Sequence, residues 1–227
     1  MNFLGHLYFS GTDKELMLAN LFGDFVRGSQ HGHFPEVIQQ GIKLHRSIDF
    51  YIDNHPLVKE LKYDLMSELP KVGPVAVDLF FDHLLARNWA DFHPTAYTSF
   101  LNDFYEHETD FQDHYPKEFI EFMHKLRTHQ WMNHYPTKYG LMKSCEGVAK
   151  RISFETKLPT AHLVFDQMEG QIEEVFHRFM SDAKSEFLSI NCPATPETKN
   201  IINKNTLSYL KENTVVGNAA RGDVVDD

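Results

Sequence analysis

Three carboxylates and two histidines stand out because helical spacing turns them toward apolar neighbours. Ile38, Ile42, His45, Asp49 and Ile52 recur at intervals of four, three, four and three, the repeat that puts residues on one face of an α-helix. A histidine and an aspartate therefore interrupt a stripe otherwise built of isoleucine. Val72, Val75, Leu79, Asp82 and Ala86 form a second stripe of the same kind, with His83 beside Asp82. Met17, Leu21 and Asp24 share a face in a third. A carboxylate turned toward a core is costly unless it is paired, protonated or bound to a cation. One cation shared by Asp24, Asp82, His45 and His6 would account for several inward polar groups at once. Mixed histidine and carboxylate shells suit Mn²⁺, Fe²⁺, Mg²⁺ or Zn²⁺, and the count of oxygen donors favours Mn²⁺ or Mg²⁺. The same residues also admit a purely structural arrangement, in which Arg27, Arg46 or Arg87 pairs with the inward carboxylates.

Other chemistry is poorly supported. There is no GxGxxG, GxxxxGK[ST] or HExxH motif and no serine nucleophile elbow. His31 and His33 fall in a glycine-containing loop. Asp113, His114, His129, His134, His162 and His177 are scattered without metal-ligand spacing. Trp131 and the phenylalanines at 100, 104, 111, 119 and 122 read as core. Of the 227 residues, 22 are Lys or Arg and 32 are Asp or Glu, a formal net charge of −10. Such a chain does not bind nucleic acid electrostatically, because neutralising phosphates needs a basic surface. Cys145 and Cys192 form no CxxC pair and fit a reducing cytoplasm. No run reaches the roughly 18 apolar residues of a membrane span, and the N-terminus lacks the basic flank of a signal peptide.

Positioning these residues falls to helices; no alternating strand pattern of useful length occurs. Thr12 to Glu15 reads as a capping box, with Gly28 as the stop of that helix. Helices follow from Pro35 to about Ile52, from Pro56, from about Pro74 to Trp89, from Pro116, from about Lys138 to Phe154, and from Pro159 to about Leu188. Breaks are expected at Pro70 to Pro74, His93-Pro94 and Tyr135-Pro136. Residues 1–190 are expected to form one helical domain. Residues 191–227 lose the apolar periodicity and read as a loosely attached tail with a short helix near Leu207 to Leu210.

Four blocks, in order, resemble one family. They are Met1-Asn2-Phe3-Leu4-Gly5-His6-Leu7, then Asn20-Leu21-Phe22-Gly23-Asp24-Phe25-Val26-Arg27-Gly28. Gly41 to Asp49 with Asp53-Asn54-His55-Pro56 is the third, and Asp82-His83-Leu84-Leu85-Ala86-Arg87-Asn88-Trp89 the fourth. The chain is similar here to acyl carrier protein phosphodiesterases. The likeness is strong over residues 1–90, thinner through Gln130-Trp131 and Gly147 to Arg151, and absent from the tail.

That resemblance implies an all-α, HD-domain-like helical bundle, dependent on a divalent metal and divergent from the usual H…HD…D signature. No His-Asp dipeptide occurs in the chain. His6 would stand for the first histidine, Asp24 for the aspartate of the pair with Gly23 where its histidine would be, and Asp82 for the last aspartate. The implied substrate is holo-acyl carrier protein, with hydrolysis freeing 4′-phosphopantetheine. His6, Asp24, His45 and Asp82 are the expected metal ligands. Asp49 or His83 would orient the water or transfer protons, and Arg27 and Arg46 would hold the phosphate. Carrier proteins are acidic, as is this chain, so docking would require a local cationic patch, for which Lys43, Lys59, Lys62 and Lys71 are candidates. Another phosphohydrolase of HD type, acting on a nucleotide, and a non-enzymatic helical binding protein are the competing readings. The oligomeric state is not legible.

Overall fold

The computed structural model describes residues 1–28, 31–190, 203–207 and 215–218. The fold is all-α. In chain order the helices are α1 (Phe3–Phe9), α2 (Lys14–Phe22), α3 (Glu36–Asn54), α4 (Pro56–Asp64), α5 (Gly73–Arg87), α6 (Trp89–Phe92), α7 (Tyr97–Tyr105), α8 (Lys117–His129), α9 (Lys138–Ala149), α10 (Ala161–Glu186) and α11 (Lys204–Leu207). Prolines open several of them as expected, since a residue without an N–H costs nothing in a first helical turn. No helix among the described residues is long and apolar enough to cross a membrane.

α5 is the axis of the core. Ala76, Val77, Leu79, Phe80, Phe81, Leu84, Leu85 and Ala86 are all buried, so the helix is covered on nearly every side. Phe80 meets Phe165 of α10 at a ring separation of 5.2 Å, and Phe81 meets Phe176 at 5.4 Å. α10 adds Ile172, Phe179, Met180 and Ala183 to the same core. α2 and α3 lie against each other where two small residues meet. A side chain at Gly41 would overlap Ala19, so the two backbones approach more closely than larger residues permit. That approach brings the buried stripe of α3 (Ile38, Ile42, His45, Ile48 and Ile52) up to the end of α2.

Several expectations change in detail. Asp13, not Thr12, caps α2, accepting from the Leu16 N–H at 3.1 Å. That helix stops at Phe22, short of the Gly28 expected, and continues as a 3-10 turn over Gly23–Phe25. α9 ends at Ala149 rather than Phe154. α1 and α7 were not foreseen. Residues Phe187–Ile190 (β1) and Val215–Asn218 (β2) form a short parallel pair in the register Phe187↔Val215 to Ile190↔Asn218. The sequence had shown no strand of useful length. Of the helix expected near 207–210, α11 covers the approach through Leu207, and 208–210 lie outside the described residues. Most of the predicted tail lies outside them too.

Candidate functional site

α1, the 3-10 turn after α2, and α3 together bring four polar side chains into one cluster. His6 comes from α1, Asp24 from the turn, and His45 and Asp49 from successive turns of α3. His6 and His45 are buried and their rings stack, with centroids 4.1 Å apart and 16° between planes. Asp49 spans the pair. Its Oδ1 lies 3.3 Å from His6 Nε2 and its Oδ2 lies 3.1 Å from His45 Nε2. Donor atoms of His6, His45 and Asp49 all fall within 4.8 Å of one another. Asp24 Oδ1 is 3.4 Å from His45 Nε2 and sits further out, with its side chain about half exposed (54 %).

The orientation of His6 is set from behind. Asn20, fully buried on α2, donates through Nδ2 to the His6 carbonyl at 3.0 Å and to Ser10 Oγ at 2.9 Å. Both amide hydrogens are thereby used, so Asn20 Oδ1 is left to accept from His6 Nδ1 at 2.9 Å. A proton on Nδ1 leaves the Nε2 lone pair facing the pocket. There it meets only oxygens, Asp49 Oδ1 and the Met1 carbonyl at 3.1 Å. Two acceptors aimed at a lone pair repel unless a cation lies between them. Burial opposes a proton as that cation, and His6 is held below its usual pKa chiefly for this reason.

His45 differs. Burial lowers its pKa, but hydrogen bonds and charge attraction from Asp24 and Asp49 outweigh that effect and raise it to about 9. The reciprocal interactions with the two histidines hold Asp49 well below the ordinary carboxylate range, against its own burial. The place of the His45 ring depends on Gly23. A Cβ at position 23 would overlap Cγ and Cβ of His45, so that ring occupies the volume into which a residue-23 side chain would project.

The surrounding cavity, about 280 Å³, is strongly acidic, with Asp53 and Asp78 in its lining beside Asp24 and Asp49. Lys62 is tied to Asp53 at 2.6 Å, Lys59 bonds to Asn54 Oδ1 at 3.0 Å, and Lys71 lies over the Phe154 ring. Two of the four expected lysines, Lys59 and Lys62, are thus engaged at the end of α3, and Lys71 lies elsewhere.

Four expected roles change. Asp82 does not join the donor cluster. Its two oxygens accept from the N–H groups of Leu4 (2.8 Å) and Gly5 (3.0 Å), so it caps the first turn of α1 from across the core. Asn2, the residue preceding α1, makes no side-chain cap of its own. His83 is likewise remote from the cluster. Its Nδ1 donates to the Tyr135 carbonyl at 2.6 Å and its ring packs 5.2 Å from Phe165, so it is core rather than an acid or base. Arg46 does not reach for a phosphate: Nη2 donates to the carbonyls of Val26 and Gly28 and shapes the loop after Asp24. Asp49, expected beside the ligands, is one of the cluster's own donors. Arg27 is exposed and engages no other described residue. No arginine among the described residues pairs with Asp24, Asp49 or Asp82; Arg87 instead meets Glu169 at 2.7 Å and Glu173. The structural network of arginines is therefore overturned. Sequence reasoning missed Asn20 as a partner of the site and named Gly23 only as the place of an absent histidine. The available signals were an amide inside an apolar helix and a glycine beside an inward carboxylate.

Comparisons with known proteins identify the family. The family model described as acyl carrier protein phosphodiesterase matches residues 1–183. A protein from Yersinia pestis named acyl carrier protein phosphodiesterase is 31 % identical over 183 residues, covering 79 % of this chain and 93 % of its own. Proteins of the same name from Escherichia coli O139:H28 (30 % over 195 residues) and Enterobacter sp. strain 638 (28 % over 193 residues) are covered over their whole length, across 83 % of this chain. A second family model, D-isomer specific 2-hydroxyacid dehydrogenase NAD binding domain, matches residues 160–227, a minor share of the chain. It overlaps α10, whose residues pack into the helical core. No solved structure matches the chain.

Proposed function

The chain belongs to the acyl carrier protein phosphodiesterase family, and we propose that its phosphodiester hydrolysis takes place at His6, His45, Asp49 and Asp24. As a member it is a phosphodiester hydrolase acting on holo-acyl carrier protein, parting the carrier serine from 4′-phosphopantetheine. A divalent cation held by the Nε2 atoms of His6 and His45 and by Asp49, with Asp24 at the rim, fits the residues present. The observation carrying this reading is the His6 Nε2 lone pair, locked toward two oxygens by Asn20. The acidity of the cavity supports it: Asp53 is paired with Lys62 and Asp78 with the terminal ammonium, but Asp24 and Asp49 also line the pocket and would repel an anionic phosphodiester unless a cation lay between. Two imidazoles among the donors favour Mn²⁺ over Mg²⁺, which prefers an all-oxygen shell. Bound there, the cation would polarise a phosphoryl oxygen and acidify a water.

The chain's own residues do the rest. Asp24, about half exposed at the rim of the cluster, is placed to accept a proton from a water there. Arg27, exposed on the adjoining loop and unpaired among the described residues, is placed to contact a phosphate oxygen. An HD-type relationship is supported by Gly23: His45 fills the space of position 23 and so supplies from α3 the imidazole that a His-Asp dipeptide would supply locally. Cys145, a buried free thiol, fits a cytoplasmic enzyme. The test is the mass of holo-acyl carrier protein after incubation with the enzyme. Conversion to the apo form with Mn²⁺, abolished by excess chelator and by His6→Ala, is expected. Full conversion in excess chelator would remove the metal from the site.

A further inference from the structure

A second cavity, of about 400 Å³, adjoins the first and falls within the roughly 300–1,000 Å³ of small-ligand sites. Asn2 and Val148 line both cavities, so the two share a wall. One side is aromatic, formed by Phe3, Trp131, Tyr135 and Tyr139. The other is a single face of α9 and the turn after it. Gly140, Lys143, Ser144, Gly147, Val148 and Arg151 recur at intervals of three, one, three, one and three. That face carries two glycines, a serine and two cations where a core-facing helix would carry leucines. Gly140 is small because α9 there crosses the His134 carbonyl too closely for a side chain. Gly147 has no such excuse: a Cβ would meet nothing within 4 Å. The space before Gly147 is open.

Resting on the function proposed above, we infer that this cavity receives the pantetheine arm of the substrate while its phosphodiester lies at the histidine cluster. The arm is uncharged, with two amides, a hydroxyl and a geminal dimethyl group. Aromatic faces suit the methyl and methylene segments, and Asn2 and Ser144 offer hydrogen bonds to the amides, with Lys143, paired with Glu146 at 2.8 Å, beside them. The shared wall at Asn2 and Val148 supplies the path from phosphate to arm. A pocket of this kind lets an acidic enzyme recognise an acidic carrier, because the prosthetic group itself provides uncharged binding area.

Calorimetry on the full chain tests this, with 4′-phosphopantetheine, inorganic phosphate and adenosine monophosphate as probes. Wild type and Gly147→Ala should bind 4′-phosphopantetheine at least tenfold more tightly than phosphate. Gly147→Phe, which pushes a ring into the open space, should reduce that preference to less than threefold. Tyr139→Ala, at a residue more than half exposed, removes one wall without touching the core and should weaken it at least threefold. Equal affinity of wild type for 4′-phosphopantetheine and phosphate overturns the inference, as does a preference unchanged in both variants. Tighter binding of adenosine monophosphate, lost in Gly147→Phe, overturns it in favour of a nucleobase pocket. If the arm binds as expected but holo-acyl carrier protein is left intact, the functional reading fails and the pocket stands. If holo-acyl carrier protein is converted equally fast by wild type and Gly147→Phe, the pocket fails and the function stands.

Discussion

Asp82 and Asp49 both lie on helical stripes that otherwise carry apolar residues, yet the fold uses them oppositely. Asp82 is 1 % exposed, and each of its oxygens takes a backbone N–H from the first turn of α1. Asp49 is about half exposed, faces two imidazole nitrogens at the edge of the cavity, and touches no backbone donor among the described residues. An inward carboxylate is therefore not one kind of residue. With saturated hydrogen bonds from a helix terminus it holds two elements together; with aromatic nitrogens at the rim of a cavity it is available to a ligand.

The largest expected effect separates the two directly. Asp49→Asn should lower turnover of holo-acyl carrier protein by more than the roughly 10–100-fold typical of outer-shell changes, with a smaller loss of stability than Asp82→Asn, because the ion pairs it weakens are half exposed and screened by solvent. Asp82→Asn puts an amide NH₂ against the N–H donors of α1 and should cost about 1–3 kcal/mol of stability, with turnover per folded molecule retained. Denaturant unfolding and the holo-to-apo mass shift read both variants, and like behaviour in the two assays would erase the distinction. Gly23→Ala comes next. Its methyl must displace the His45 ring, so turnover should fall at least tenfold, whereas an alanine in that turn has no backbone strain to overcome. Wild-type turnover in Gly23→Ala would mean that His45 is not held where the cluster needs it.

Asn20→Leu should act more gently. It keeps the apolar packing of α2 but frees the His6 tautomer, and affinity for Mn²⁺ should fall by roughly 10–100-fold. Metal titration of the two proteins measures this, and an unchanged affinity would show that His6 is not oriented by Asn20. The smallest effect, counted per pH unit, concerns pH. Burial pushes the Asp82 carboxyl up to about 7, against the two N–H donors and the terminal ammonium, which pull it down. Between about pH 4 and pH 7 the folded chain keeps this proton while the unfolded chain has lost it, given an ordinary Asp value of roughly 3.9. Asp82's contribution to stability is thus greatest at low pH and declines as pH rises, with a ceiling of about 1.4 kcal/mol per pH unit. The stability of wild type relative to Asp82→Asn should fall over that interval; a rise would mean that the helix terminus, not desolvation, governs the group.

What the sequence determined by itself was most of the inward-facing residues and the longer helices that carry them; Asp24, expected on the inward face of its helix, lies about half exposed in the 3-10 turn beyond it. The period of α3 put His45 and Asp49 on its buried edge, and prolines marked where α4, α5 and α10 begin, because both signals are local and survive in one dimension. α1 escaped notice since seven residues are too few for a period to show, and its first turn is capped by Asp82 from 77 and 78 residues away rather than by a neighbour. Partners were left to the tertiary structure. Projection onto a helix says that a carboxylate faces inward, but only packing decides whether it meets an imidazole, a guanidinium or a backbone N–H. The same holds for Asn20 and Gly23: an amide becomes the keeper of a tautomer, and a missing side chain becomes room for a ring, only when another helix is brought against them.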